Sequence, residues 1–416
     1  MASPHHTNEP WDISYEIKTV VLLTLAFGLV GLDRWVVAPL FPAMIADLHL
    51  TYQDLGNVVG ALGIAWGAAA ILIGGLSDRI GRRRVLIPAI VGFSLLSGLS
   101  GVTTGIGTLI AIRALMGITE GAFCPTSFAT TNDASKETRR GFNLGVQQSA
   151  FPLFGLALGP ILATQLLQVV RWRLVFILVA VPGLILAVLL ARVIREPRSA
   201  AAATLRPHPP LSQIFKHRNV PLGMAGLLCA MSGIFTLSAM VPSYLTQYLH
   251  LNLQLMGYVT SAIGVGGFLG QMVLSGLSDL IGRRLCAVLG FVIAAVFLYA
   301  FSQVGASASW LFLLLFLSCF FCFGLLGLIT GPIAAEAAPA GLVSSTAGLI
   351  IGVGEIFGGG VVPVIAGRVA QQFGIQHTLT MALAGLVAGI LVSLFFVETA
   401  PRKTASVSMA RSVEHT

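Results

Sequence analysis

The chain has 416 residues, of which 56% are hydrophobic and only 10% are charged, and its mean hydropathy is +0.90. Soluble domains carry roughly 25% charged residues, so this composition excludes an ordinary soluble protein and indicates a membrane protein. The formal net charge of +8 is explained by basic residues beside a membrane surface, so no nucleic-acid partner is expected.

Twelve apolar stretches along the chain are each close to the ~20 residues that cross a ~30 Å hydrocarbon core as a helix. We therefore predict an all-α membrane protein with twelve transmembrane helices. Segments five and eleven contain several Gly and Pro residues, so bends are expected there. The predicted spans are 18–43, 53–76, 84–104, 107–130, 142–167, 172–194, 220–246, 253–276, 284–304, 308–331, 341–368 and 376–398.

The N-terminal tail is polar and acidic, without a basic n-region or a small-residue cleavage site. We expect no removable signal peptide, so the first helix would be its own insertion signal. Of the 24 Lys and Arg residues, nineteen fall on one side of the predicted helices, three on the other and two within them. Because cytoplasmic loops are rich in Lys and Arg, both termini are predicted to be cytoplasmic.

Ionisable residues interrupt three of the apolar segments. Asp33 and Arg34 are adjacent within GLDRWVVAPLF of segment one, and Glu355 lies in GVGEIFGGGVVP of segment eleven. In segment four, Arg113 and Glu120 are seven residues apart, which puts them within ~20° of the same helix face. An ionisable group at bilayer depth costs at least ~2.5 kcal/mol, so such groups usually face a cavity, pair with one another or serve an ion path.

The two acids and two arginines of segments one and four can neutralise one another. Burial without a partner favours the protonated form of a carboxyl group, whereas a nearby arginine favours its charged form. We therefore predict that Asp33 and Glu120 are coupled proton-carrying groups and that Arg113 modulates their charge. The planar donors of Arg34 suit a carboxylate, so Arg34 is predicted to clasp an anionic substrate. The alternative is that Arg34 merely pairs with Glu120 or Asp33.

The role of Glu355 is open: it is a third titrating group, a gate, or an ordinary hydrogen-bonded acid of the core. Several polar side chains are candidates for lining a cavity, and Gln148 is the one we select for substrate contact. Membrane helices also use such side chains to hydrogen-bond to one another, which is the alternative for each of them. The candidates are Gln147, Gln148, Ser243, Tyr244 and Gln247.

The sequence contains an internal repeat. GGLSDRIGRRR at 74–84 recurs as SGLSDLIGRR at 275–284, with an offset of 201 positions and seven identities in ten. Each copy falls between the second and third helices of its half, which indicates a duplicated six-helix unit and alternating access by rocking of two bundles. The predicted organisation is a cytoplasmic N-tail (1–17), an N-terminal bundle (18–194), a Pro-, Ala- and Arg-rich linker (195–218), a C-terminal bundle (219–398) and a cytoplasmic C-tail (399–416).

GGLSDRIGRRRVL resembles the signature loop of the major facilitator superfamily, Gly-x-Leu-x-Asp-Arg-x-Gly-Arg-Arg. The resemblance implies that fold over the whole chain. The Asp78 carboxylate can meet a helix N-terminus or an arginine and hold the cytoplasmic side shut, and the departures Ser275 and Leu280 predict that the N-terminal copy is the tighter latch. Alternatively, Arg82 to Arg84 only determine topology. The predicted gating residues are Gly74, Asp78, Arg79, Gly81, Arg82, Asp279, Gly282 and Arg283.

Asp33-Arg34, RALMGITEGAFCP in segment four and RRG at 139–141 resemble the anion:cation symporter group. That resemblance implies uptake of sugar acids or other carboxylates with protons, with Asp33 and Glu120 as proton carriers. Spinster-type lysolipid transporters share the Asp-Arg pair and the glutamate. Gly155 to Pro160 also resembles an element of drug/proton antiporters, although small residues here equally permit close helix packing. The alternative function is therefore transport or export of an amphiphile or drug.

Other classes of protein are less supported. A channel needs rings of like residues, but the 201 offset maps Arg113 and Glu120 onto Leu314 and Phe321. No ATP-binding or zinc-protease motif occurs, so we expect no enzyme activity, no catalytic residue and no metal site. We expect a monomeric secondary transporter of the bacterial inner membrane whose partners are a small organic anion, protons and the bilayer, with the proton as coupling ion and no cofactor.

Five cysteines lie in apolar segments and are interpreted as core residues: Cys124, Cys229, Cys286, Cys319 and Cys322.

Overall fold

The computed structural model describes residues 11–195, 211–338 and 343–400, and it describes side chains there except at 74–79, 137, 211–212 and 343–345. In these ranges eleven helices are long and apolar enough to cross a membrane, and a twelfth apolar helix has 17 residues. The predicted all-α fold with twelve apolar helices is confirmed. The helices are α1 (Ile13–Leu48), α2 (Tyr52–Ile80), α3 (Arg82–Ser100), α4 (Ile106–Ala134), α5 (Arg140–Leu166), α6 (Trp172–Val193), α7 (Asn219–Tyr248), α8 (Leu253–Ile281), α9 (Arg283–Gln303), α10 (Ala308–Ala337), α11 (Thr346–Phe373) and α12 (His377–Ser393).

Three helices depart from regular α geometry near the predicted site. The expected bends of segments five and eleven coincide with π-helical stretches at Leu153–Leu158 and Gly354–Val361, and π-bulges are a common cause of kinks. In addition, α1 is interrupted at Val36, which we did not predict. Pro39 explains the interruption, because it has no N–H to donate to the carbonyl of Trp35. Asp33 and Arg34 therefore lie just before a break in α1.

The two halves repeat the same packing. Helix α2 packs on α4 as α8 packs on α10, and α3 packs on α6 as α9 packs on α12. The repeated turn also has the same backbone in both copies, since Gly81 and Gly282 each have a φ of 103°. Residues with a side chain rarely adopt this conformation, so glycine is required at both positions. The predicted duplication thus extends to three-dimensional structure.

The two bundles contact each other through α2 with α11 and α5 with α8. A side chain at Gly63 would collide with the carbonyl of Gly359, and one at Gly264 would collide with the backbone of Ala157. The helices therefore cross with their backbones in contact, as small residues permit in membranes. Within the N-terminal bundle, Gly155 lies against the backbone of Gly31, which supports the packing interpretation of the element that resembles drug antiporters.

Hydrogen bonds also join the bundles at the end predicted to face outside. The Tyr52 hydroxyl of α2 bonds to Gln247 of α7, and its backbone N–H donates to Gln371 Oε1 of α11 at 3.1 Å. Gln53 Nε2 donates to the carbonyl of Val364 at 3.2 Å. At this end the two bundles are therefore connected by hydrogen bonds.

At the opposite end, α1 begins at Ile13, before the predicted start of the N-terminal bundle. Glu16 is buried there and accepts hydrogen bonds from Arg139 at 2.7 Å and from Asn143 at 2.9 Å. In the predicted linker, Leu211–Lys216 forms a 3-10 helix. The remainder of the linker from 196 to 210, and the C-tail from 401, lie outside the described residues.

Candidate functional site

Arg34 forms a buried ion pair between the two bundles. Its Nη2 lies 2.9 Å from Oε2 of Glu355, and the two side chains are 2% and 8% exposed. Arg34 belongs to α1 and Glu355 to the π-helical part of α11, so the pair crosses from the N-terminal to the C-terminal bundle. The alternative that Arg34 pairs with Asp33 or Glu120 is wrong, because the described acidic partner of Arg34 is Glu355.

Aromatic rings surround this guanidinium. Arg34 Cζ lies 4.6 Å from the ring centroid of Phe235 on α7, 5.8 Å from that of Trp35 and 5.9 Å from that of Trp66 on α2. A cation over a desolvated aromatic face is stabilised by the ring quadrupole. These rings come from both bundles, so the arginine is held at their contact.

A glycine makes room for the ion pair. A methyl group at Gly359 would lie 2.6 Å from Oε2 of Glu355 and 3.1 Å from Nη2 of Arg34. This position was not predicted from the sequence, although the run Gly358 to Gly360 was a visible signal of close helix approach. For Phe235 and Trp66 the sequence offered no signal, because aromatic residues are common in apolar helices.

The side chain of Arg113 contacts the backbone carbonyl of Asp33, while the Asp33 carboxylate has a different partner. Oδ1 of Asp33 accepts a hydrogen bond from the hydroxyl of Ser97 on α3 at 2.6 Å, while Oδ2 is buried without a described hydrogen-bond partner. Arg113 Nη1 donates to the carbonyl oxygen of Asp33 at 2.8 Å and to that of Arg34 at 3.4 Å. A cation beside the last carbonyls of a helical segment is favourable, so Arg113 stabilises the part of α1 just before the break at Val36, where Asp33 and Arg34 lie.

Glu120 is fully buried, and neither of its carboxylate oxygens has a hydrogen-bond partner among the described residues. The site thus contains three buried acids, at 33, 120 and 355, and two buried arginines, at 34 and 113. Glu355 pairs with Arg34, and Asp33 is bonded by Ser97 with Arg113 beside it. Glu120 is the acid left without a bonding partner.

The selected glutamine lies outside this cluster. Gln148 is exposed, whereas its neighbour Gln147 is fully buried and donates to the Ser127 hydroxyl at 3.0 Å. Of the other candidates, Gln247 bonds to Tyr52 across the bundles as described above. The structure therefore brings together Asp33, Arg34, Arg113, Glu120 and Glu355, but it does not bring Gln148 to them.

The gating turns are only partly described. In the first copy, Arg82 pairs with Asp133 at the end of α4, while the side chains of Gly74, Asp78 and Arg79 lie outside the described residues. In the second copy, Arg283 lies 2.5 Å from Asp279 and 2.9 Å from Glu336 at the end of α10. Each arginine therefore connects the third helix of its half to the fourth. The latch role of Asp78 stays a prediction.

Glu398, which sequence reasoning missed, caps the beginning of α9. Its carboxylate accepts from the backbone N–H groups of Arg283 at 2.8 Å and Arg284 at 3.3 Å, and from those of Thr399 and Ala400. Burial alone raises the pKa of Glu398, but these four donors lower it, and the resulting pKa is below its ordinary value. The signal in the sequence was an acid at the very end of the last apolar segment, 376–398.

The site offers donors to a ligand. In the part of the chain that the structure describes, no group of three or more His, Cys, Asp or Glu is placed to hold a metal ion. The indole N–H of Trp35 and the Nε of Arg34 are buried without described partners. Cationic and neutral N–H donors of this kind suit an anion, above all a carboxylate.

Comparisons with known proteins agree with this architecture. The family model of the Major Facilitator Superfamily matches residues 23–358 and, in a second match, 223–413. The hexuronate transporter of Bacillus subtilis (strain 168) is 27% identical over 278 residues, which are 65% of this chain and 66% of that protein. The probable L-galactonate transporter of Escherichia coli (strain K12) is 26% identical over 417 residues, 92% of this chain and 89% of that protein.

Among solved structures, a bacterial homolog to the human lysosomal transporter Spinster, in an inward-facing and occupied conformation, superposes with a TM-score of 0.76. The superposition covers 93% of this chain and 97% of that chain at 15% identity. At this identity the similarity shows the fold alone. The family match, however, spans most of the sequence and both halves of the duplication, and with it this chain belongs to the Major Facilitator Superfamily.

Proposed function

We propose that this protein is a proton-coupled symporter that takes up a small organic anion, such as a sugar acid or another carboxylate, by alternating access. The observation that carries the proposal is Arg34, a permanent cation buried where the two bundles meet and paired with the Glu355 carboxylate of the opposite bundle. The relatives named above as hexuronate and L-galactonate transporters support a substrate of the same chemistry.

Charge balance supports coupling to protons. With three acids and two arginines, the cluster is neutral when one acid is protonated, and a bound monoanion raises the requirement to two protons. Leaving a buried charge uncompensated costs several kcal/mol, so each monoanion would bind together with one proton. Moving a monoanion into an inside-negative cell costs ~2.3 kcal/mol per 100 mV, and the accompanying proton cancels that charge. Asp33 and Glu120 are the proposed carriers.

Transport into proteoliposomes tests the function. With an acidic exterior, we expect the purified protein to accumulate radiolabelled L-galactonate or D-glucuronate above equilibrium, and a protonophore to abolish this accumulation. Arg34→Lys keeps the charge but loses the planar fork, so uptake is expected to fall by about tenfold or more.

The matched control is Arg173→Lys, because Arg173 binds Asp47 near the outer end of α1, away from the buried cluster. This variant should transport like the wild type. Carboxylate uptake that ignores the pH gradient would contradict proton coupling. Proton-linked movement of lysolipids or cationic drugs in place of carboxylates would favour the alternative function.

A further inference from the structure

We propose that Glu355 is a built-in substitute for the substrate carboxylate: it pairs with Arg34 in the empty transporter, is displaced when the substrate binds, and then accepts the coupling proton that Asp33 and Glu120 carry to it. The inference rests on the proposed function and names the group at which anion binding and proton binding meet.

The geometry of the pair leaves room for a stronger ligand. Glu355 contacts Arg34 through one bond, from Nη2 to Oε2, while Nε of Arg34 is buried without a described partner. A carboxylate aligned with the Nε and Nη2 edge forms two parallel bonds, which is the strong arrangement for arginine. A free substrate carboxylate can adopt that alignment, whereas in this structure the carboxylate tethered to α11 makes one bond. The substrate therefore competes successfully for Arg34.

Among the described residues, no second cation is placed beside Glu355 to receive it after displacement. The charged groups facing it are Arg34 of α1 and Glu120 of α4, with the Cys124 thiol also within electrostatic range from α4. From α2 and α7, the described neighbours are Gly67 and Phe235. A buried carboxylate beside another acid and without its arginine is stable only in its neutral form. Loss of Arg34 therefore brings a proton onto Glu355.

Displacement also breaks an ion pair between the two bundles. Among the described residues, the pair of Arg34 and Glu355 is the only ion pair that joins the N-terminal to the C-terminal bundle. When the substrate anion and the proton bind together, the ion pair between Arg34 and Glu355 is broken and no buried charge is left uncompensated. The same exchange that loads the transporter thus permits the bundles to move.

Calorimetry of the purified protein tests the proposal without relying on transport. L-galactonate is titrated near neutral pH in two buffers of different ionisation enthalpy, and the difference in heat gives the protons taken up per anion bound. The wild type is expected to take up one proton per anion. When Glu120 keeps its proton, Glu355→Gln leaves the cluster with one excess positive charge, which the bound anion itself balances. This variant is therefore expected to take up no proton and to bind about tenfold more tightly, because a competitor for Arg34 is gone.

The matched control is Glu16→Gln, since Glu16 is also buried and paired with an arginine, but within the N-terminal bundle. It should keep the wild-type proton count. Wild-type binding without proton uptake, or a Glu355→Gln variant with unchanged uptake, would overturn the role of Glu355 and leave the proposed function standing. If neither L-galactonate nor D-glucuronate binds at all, the proposed function itself fails. The wild-type proton count decides the matter even if Glu355→Gln does not fold.

Discussion

Gly359→Ala is a direct test of the packing around the buried ion pair. The added methyl group would lie 2.6 Å from Oε2 of Glu355, and 3.1 Å from both Nη2 of Arg34 and Cζ of Phe235. Inserting a methyl into a well-packed interior costs ~1–3 kcal/mol. We expect the variant to be destabilised by that amount, because the Glu355 side chain must move away from Arg34 to relieve the contact.

The measurement is thermal unfolding of the purified protein in detergent, compared with Gly348→Ala on the same helix. A methyl group at Gly348 would meet no atom within 4 Å, and alanine favours a helix over glycine by ~1 kcal/mol. That control should be as stable as the wild type or more so. A double-mutant cycle with Glu355→Ala adds a second readout.

Because the Gly359→Ala contact is made with the Glu355 carboxylate, the two substitutions should not be additive, with an interaction energy of ~1 kcal/mol. A Gly359→Ala variant that unfolds at the wild-type temperature would refute the reasoning. Strict additivity of the two substitutions would also refute it, because the cost would then come from another contact.

Two further substitutions test the proton site and the cytoplasmic cap. Asp33→Asn is expected to abolish accumulation driven by a pH gradient but to retain exchange of labelled substrate across proteoliposome membranes; full accumulation would remove Asp33 from the proton path. The pKa of Glu398 is lowered from 4.5 in the folded protein, so its stabilising contribution is present above that value and is lost as pH falls through the lower folded pKa. Glu398→Gln should therefore flatten the decline of melting temperature in that acidic range; an unchanged decline would contradict the capping role.

Composition and spacing were sufficient to predict the helices, because an apolar run of about 20 residues has few alternatives in a membrane protein. The duplication was equally visible, since a turn that requires the same positive φ at Gly81 and Gly282 keeps its glycines. The buried charges could also be selected in advance. Each is exceptional at bilayer depth, where an ionisable group needs a partner or a function.

The partners of those charges could not be predicted. Arg34 and Glu355 are separated by 321 positions, and their pairing depends on how α11 is rotated against α1. Arg113 binds backbone carbonyls that are free to accept because a helical segment ends there. No pattern of residues in the sequence predicts this contact. Gln147 and Gln148 show the limit most simply: adjacent residues differ by ~100° around a helix, so an error of that size in the assumed rotation exchanges the buried residue for the exposed one.

The distribution of charge between the bundles explains why the proposed cycle couples its two ligands. Both arginines and two of the three acids belong to the N-terminal bundle, and among the described residues at this depth the C-terminal bundle contributes Glu355. Breaking a buried pair by removing one partner costs ~3–5 kcal/mol. The bundles therefore cannot separate while Arg34 and Glu355 would both be left as unpaired charges.

An anion on Arg34 without a proton leaves the cluster with one excess negative charge, and a proton on Glu355 without an anion leaves one excess positive charge. Only the anion and the proton together keep the cluster neutral while Arg34 and Glu355 are separated. In this scheme the obligatory coupling of anion and proton requires no separate gate, because it follows from a single carboxylate placed on the opposite bundle from its arginine.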